Sequence, residues 1–135
     1  MLLLDTNIVY RWLLALDLPT GLVARVERDG AYVSLLSPWE MLIKHQIGKL
    51  ALPAVDVVGE IEAQGFTLLP VKPAHLKELS GLPLLHRDPF DRLLIAQAKA
   101  EDLVVATSDQ LFSAYLPTAL IIQAAASFNQ TRPLP

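Results

Sequence analysis

Apolar positions along this chain fall into short blocks separated by stretches of helical spacing. "MLLL" at the start reads as a short buried strand. From Asp5 to Leu16, Ile8, Trp12, Leu13 and Leu16 share one helical face. A second helix runs from about Gly21 to Arg28 and stops at Asp29–Gly30. "AYVSLL" predicts a strand, and Ser37 then opens a helix to about Gly48. "LPAVDVVGEIEAQG" gives a proline-flanked turn and a helix ending near Gly65. "FTLLPV" is a strand, Pro73 to Leu79 a short helix, and "SGLPLLHR" a loop. The strongest helix spans Asp88 to about Glu101; the strand "LVVAT", the short helix "SDQLFSAY" and the strand "ALII" follow.

Strands alternating with helices predict an α/β fold: one domain, with a central parallel sheet of about five short strands flanked by helices. The domain should occupy residues 1–122. The tail, 123–135, mixes "AAASF" with two late prolines and has no assigned role.

Composition narrows this picture. The chain has 135 residues, is 53% hydrophobic, and has a mean hydropathy of +0.40. No uninterrupted apolar run approaches the ~20 residues of a membrane span, so no membrane is expected. Asp5 and Arg11 interrupt the apolar start, which argues against a secretory signal. The surplus apolar surface fits a subunit or partner interface. A net charge of −3 and a pI near 5.5 give no general basic surface for nucleic acid. Without cysteine there is no disulfide framework and no thiolate metal site. A cytoplasmic location is the simplest expectation.

Acids at element junctions carry the candidate chemistry. Asp5 follows the first strand, and Asp109 lies two residues after "LVVAT". Glu40 and Asp91 sit at matching helix starts, "SPWE" and "DPFD", each read as cap, proline, aromatic, acid. Taken singly, each acid has a capping explanation, with Ser37 and Asp88 as caps. The helical wheel, however, turns Asp91 to the same face as Leu94, Ile95 and Ala98, where a carboxylate needs a partner. In parallel sheets ligands gather at the carboxyl ends of strands, where these acids would meet. Two charges ~4 Å apart repel by roughly 4 kcal/mol at an effective dielectric of 20. A carboxylate cluster therefore calls for protonation, a basic partner or a cation, and all-oxygen ligation suits Mg²⁺ or Mn²⁺. Such ions bridge carboxylates to phosphate oxygens and activate water for phosphodiester hydrolysis.

"LLLDTNIVYRWL", "SPWEMLIKHQIGKL", "HRDPFDRLLIAQA" and "VVATSDQLF" occur in order from Met1 to about Ile122. Together they resemble the motifs of PIN-domain ribonucleases, most of all the VapC-type toxins of prokaryotic toxin–antitoxin pairs. The resemblance implies a metal-dependent endoribonuclease that leaves a 5′-phosphate, with Asp5, Glu40, Asp91 and Asp109 holding Mg²⁺ or Mn²⁺. It implies an RNA substrate, a cognate antitoxin and a homodimer. Asn7 matches the polar position of the first motif, where many relatives have His; Ser108 and Thr107 flank the last acid. Asp88 is the N-cap with an outer role at the site.

Arg92 is expected either to pair with a neighbouring acid or to contact RNA phosphate. Arg87, Lys44 and Lys49 are candidates for a basic rim, Lys49 being the more readily explained as solvated surface. His45, His75 and His86 show no metal-ligand spacing and read as structural or surface residues. A non-catalytic PIN-fold binding protein stands as an alternative. A phosphoacceptor domain fits poorly, since Asp5 is followed by Thr6 and Asn7 rather than a second acid.

Overall fold

The computed structural model describes residues 1–122, so the tail at 123–135 lies outside the described residues. Five strands form one parallel sheet: β1 (Leu2–Leu4), β2 (Ala31–Ser34), β3 (Thr67–Leu69), β4 (Val104–Thr107) and β5 (Leu120–Ile121), in the order β3-β2-β1-β4-β5. Six α-helices flank it: α1 (Thr6–Leu13), α2 (Thr20–Asp29), α3 (Leu36–Gln46), α4 (Val57–Ala63), α5 (Pro73–Ser80) and α6 (Pro89–Glu101). A 3₁₀ turn at Gln110–Ala114 stands where the sequence predicts a short helix.

β1 is central, and its residues are buried on both sides, which is why "LLL" carries no polar alternation. Leu2 and Leu4 join a core with α1, α2, Met41 of α3 and α4, while Leu3 joins the opposite core with α6, Val105 and Phe112. The two-residue period of a strand thus divides one apolar run between two cores. α2 ends at Gly30, whose φ of +75° suits a residue without Cβ. α6 begins with Asp88 as N-cap and Pro89 in its first turn, as the sequence predicts.

Of the boundaries that differ from the sequence reading, two have a visible cause. α1 stops at Leu13 rather than Leu16: Ala15 takes a left-handed φ of 55°, and the buried Arg11 guanidinium holds the Asp17 carbonyl. α3 begins before Ser37, because the Ser34 hydroxyl accepts from Leu36 N–H at 3.1 Å and starts the helix earlier. Ser37 is therefore not a cap. Glu40 lies beyond the first turn, where no free N–H awaits a capping acid.

Candidate active site

Parallel pairing of β1 with β4 sets Leu4 beside Ala106, so the residues that follow them are neighbours at the carboxyl end of the sheet. Asp5 N–H donates to Ala106 O at 2.9 Å, and Thr107 Oγ1 donates to Asp5 Oδ2 at 2.6 Å. The other Asp5 oxygen accepts from Thr6 N–H at 2.7 Å and caps α1. Thr107 Oγ1 also accepts from Asp109 N–H at 3.0 Å, so one hydroxyl ties together the ends of both strands. Asn7 Nδ2 donates to Ser108 Oγ at 2.7 Å, while the buried Asn7 Oδ1 has no hydrogen-bond partner. Thr6 Oγ1 and Ser37 Oγ, 2.8 Å apart, link α1 to α3.

Glu40 reaches this place from α3 and is only 3% exposed. Its Oε2 lies 2.9 Å from Lys44 Nζ, one helical turn on, and its buried Oε1 has no partner. Lys44 is thus engaged with an acid of the cluster, not arrayed on a basic rim; Lys49 is exposed. Asp91 arrives from α6. The backbone N–H of Asp91 donates to Asp88 Oδ1 at 3.0 Å, but its own carboxylate does not return to the cap residue. Asp88 N–H goes instead to His86 Nδ1 at 3.3 Å. The capping-box explanation of the Asp91 side chain therefore fails, and so does that of Glu40. Trp39 and Phe90, each just before one of these acids, meet edge-on at 5.1 Å between ring centres.

His86 corrects the sequence reading. Its Nε2 lies 2.9 Å from Asp109 Oδ2 and 3.0 Å from Asp91 Oδ2, so it belongs to the cluster. One donor atom from each of His86, Asp91 and Asp109 lies within 4.8 Å of the other two. Because Nδ1 accepts from a backbone N–H, the hydrogen-bond pattern assigns the ring proton to Nε2. The segment carrying His86 is braced from below. Tyr115 Oη accepts from Leu85 N–H at 2.7 Å and His86 N–H at 2.8 Å, and donates to Pro83 O at 2.7 Å. Arg92 NH1 reaches Pro83 O at 3.0 Å, Tyr115 Oη at 3.2 Å and His86 O at 3.4 Å. Arg92 therefore braces the loop through carbonyl and hydroxyl partners, and among the described residues it pairs with no acid.

Electrostatics record the crowding. Burial pushes the Asp5 carboxyl up from 3.8 to about 6, against hydrogen bonds from Thr107 and Thr6 that favour the charged form; Glu40 and Asp109 add to the rise. Asp91 goes further, from 3.8 to about 8, through burial first and then the charges of Asp5, Asp88, Glu40 and Asp109. The other three acids singled out by sequence, with Asp88, thus lie within electrostatic reach of Asp91. Sequence reasoning missed His86, Tyr115 and the Thr6–Ser37 link. For His86 the available signal was its place two residues before a helix cap at the same sheet end.

A family model described as PIN domain matches residues 2–115. The chain belongs to the PIN domain family. Solved structures share its fold. The DNA-bound VapBC of Salmonella typhimurium superposes with a TM-score of 0.58 at 15% identity, covering 89% of this chain and 95% of that one. FitAcB of Neisseria gonorrhoeae gives 0.59 at 22%, covering 90% and 96%. VapBC2 of Rickettsia felis, bound to a promoter DNA fragment, gives 0.61 at 13%, covering 89% and 96%. A search of curated protein sequences finds no match. PIN nucleases use divalent metals, and this PIN domain offers what one needs: crowded carboxylates and a buried, unpartnered Glu40 oxygen. Among the described residues no helix is long and apolar enough to cross a membrane.

Proposed function

We propose that this PIN domain is a metal-dependent endoribonuclease acting as the toxin of a toxin–antitoxin pair. The observation that carries the reading is the meeting of Asp5, Glu40, Asp91 and Asp109 at the carboxyl end of the sheet, with Asp91 pushed up to about 8 by burial and like charge. These four acids would hold Mg²⁺ or Mn²⁺. A bound ion of that kind polarises a phosphate oxygen and lowers the pKa of its water. The chain's own residues do the rest. Thr107 orients Asp5 through its 2.6 Å bond and fixes the backbone of Asp109. Lys44 offsets part of the charge of Glu40 through its 2.9 Å contact with Oε2. Asn7 and Ser108 place a polar pair beside the cluster, with Asn7 Oδ1 left to accept from a water or substrate group.

Partners follow from the same reading. The VapBC and FitAB neighbours are complexes, some with DNA, and we extend to this chain a cognate antitoxin that restrains it. Exposed Trp39 and Leu42 on α3, with Ile47 at its end, offer apolar surface for that antitoxin or for a homodimer. The test is incubation of the purified, antitoxin-free protein with a mixed RNA pool, with Mg²⁺ or Mn²⁺ and with EDTA, beside Asp91→Asn. Metal-dependent cutting lost in the variant is expected. Folded protein that cuts nothing with either ion would favour a non-catalytic PIN-fold binding protein.

A further inference from the structure

The imidazole of His86 is held more firmly than a loop side chain needs to be. Two backbone N–H groups beside it end on one tyrosine oxygen, Arg92 closes the same loop, and the ring meets Phe112 edge-on at 6.2 Å. That brace delivers Nε2 to a point between two carboxylate oxygens of different helical segments, 2.9 and 3.0 Å away. A second observation bears on the same acids. Glu40, 3% exposed, has a buried Oε1 with no partner, and its charge acts on Asp91. Resting on the metal-dependent reading above, we propose that His86 donates Nε2 to the metal alongside Asp91 and Asp109, and that this nitrogen biases the site toward Mn²⁺ or a similar first-row ion over Mg²⁺.

The chemistry behind the bias is donor type. Magnesium takes oxygen and keeps its waters, whereas imidazole nitrogen suits first-row transition ions. Coordination through Nε2 places the ring proton on Nδ1. The cost is the long 3.3 Å contact from the N–H of Asp88, a half-buried residue. The other imidazole held against a carboxylate shows why the arrangement is specific. His75 Nε2 meets Glu101, but Lys72 Nζ stands 3.6 Å from the same oxygen, so a cation there is already supplied by the chain.

The test uses the full chain loaded with Mn²⁺ alone and read by electron spin-echo envelope modulation. Modulation from a directly bound imidazole nitrogen is expected in the wild type and in His45→Ala, and not in His86→Ala. By calorimetry His86→Ala should lose at least about tenfold in Mn²⁺ affinity, the lower end of what even outer partners of metal ligands cost. Its Mg²⁺ affinity should change by no more than about twofold, since oxygen donors dominate there. Bound Mn²⁺ without nitrogen modulation, or modulation that persists in His86→Ala, overturns the assignment of His86 and leaves an oxygen-only metal nuclease standing. Failure to bind either ion overturns both. A wild-type spectrum without nitrogen modulation overturns the assignment even if the variant does not fold.

Discussion

The two ends of α6 carry the same device with opposite results. At the N-terminal end, His86 sets Nε2 against Asp91 and takes a backbone N–H on Nδ1. At the C-terminal end, the buried His75 sets Nε2 against Glu101 at 2.7 Å and takes the Lys72 N–H on Nδ1 at 3.0 Å. The helix dipole alone would favour a charged carboxylate at the first end and disfavour one at the second. The opposite holds. Asp91 rises to about 8, while Glu101 falls below its ordinary value through its bond to His75 and the charge of Lys72. Magnitude decides it: a helix end contributes about 0.3–1 kcal/mol, whereas a carboxyl displaced by several pH units, at ~1.4 kcal/mol each, reflects several times that. A histidine touching an acid is thus no mark of a site. The mark is an excess of acids that the chain does not offset.

The strongest way to break this comparison is Asp91→Asn. Cleavage should disappear. In EDTA at pH 7, however, the variant should melt higher than wild type, by roughly 5 °C for the kcal/mol or two that survives partial exposure. The sign follows from linkage. Asp91 and Asp5 are raised above 3.8, so their contribution to stability is whole below about pH 4, declines as pH rises, and is gone beyond about pH 8. The advantage of Asn should accordingly vanish near pH 4. Thermal melts across that range check it, and a lower melting temperature for the variant at pH 7 would make Asp91 a structural partner instead.

Tyr115→Phe should have the next largest effect. It leaves two backbone N–H groups and the Pro83 carbonyl without their shared hydroxyl, a loss of about 1–3 kcal/mol. The melting temperature should fall by several degrees, and cleavage should fall by roughly tenfold or more because the ring of His86 loses its support. Urea unfolding beside a cleavage assay separates the two. Stability lost with cleavage intact would detach the brace from the site.

These variants also show what the sequence could and could not reveal. "MLLL" and "LVVAT" announce central strands because a doubly buried strand has no polar residues to hide. The four acids were legible because junctions between strands and helices converge at one sheet end. "SPWE" and "DPFD" look alike, yet only the second contains a true cap. The Ser34 hydroxyl starts α3 early, and no local pattern around Ser37 records that. His86 and Tyr115 were illegible for another reason. Tyr115 Oη holds Leu85 and His86 although α6 and β4 separate them in the sequence, a relation set by topology and not by spacing.

Metal binding sharpens the comparison further, since only one end of α6 should respond. Loading the acids with Mg²⁺ or Mn²⁺ requires Asp91 to ionise, so binding near pH 6–7 should release about one proton. Calorimetry in buffers of different ionisation enthalpy measures this. The release should shrink above about pH 8, and at pH 7 Asp91→Asn should lose most of it, leaving only the small share of Asp5.

The smallest effect belongs to the balanced end. Glu101 is held below its ordinary 4.5 by the His75 bond and by Lys72, so its contribution is present above about pH 4.5 and lost as pH falls through its lowered value. The sign is the reverse of that at Asp91. Glu101→Gln should therefore lower the melting temperature slightly at pH 7, leave cleavage and metal binding untouched, and match wild type once the pH lies below that lowered value. The partial exposure of Glu101 keeps the effect small, because solvent screens its charge. The direction is what matters. Removing a carboxylate should destabilise one end of the helix and stabilise the other, and two variants of α6 that moved the same way at pH 7 would show that offset charge is not what separates the two ends.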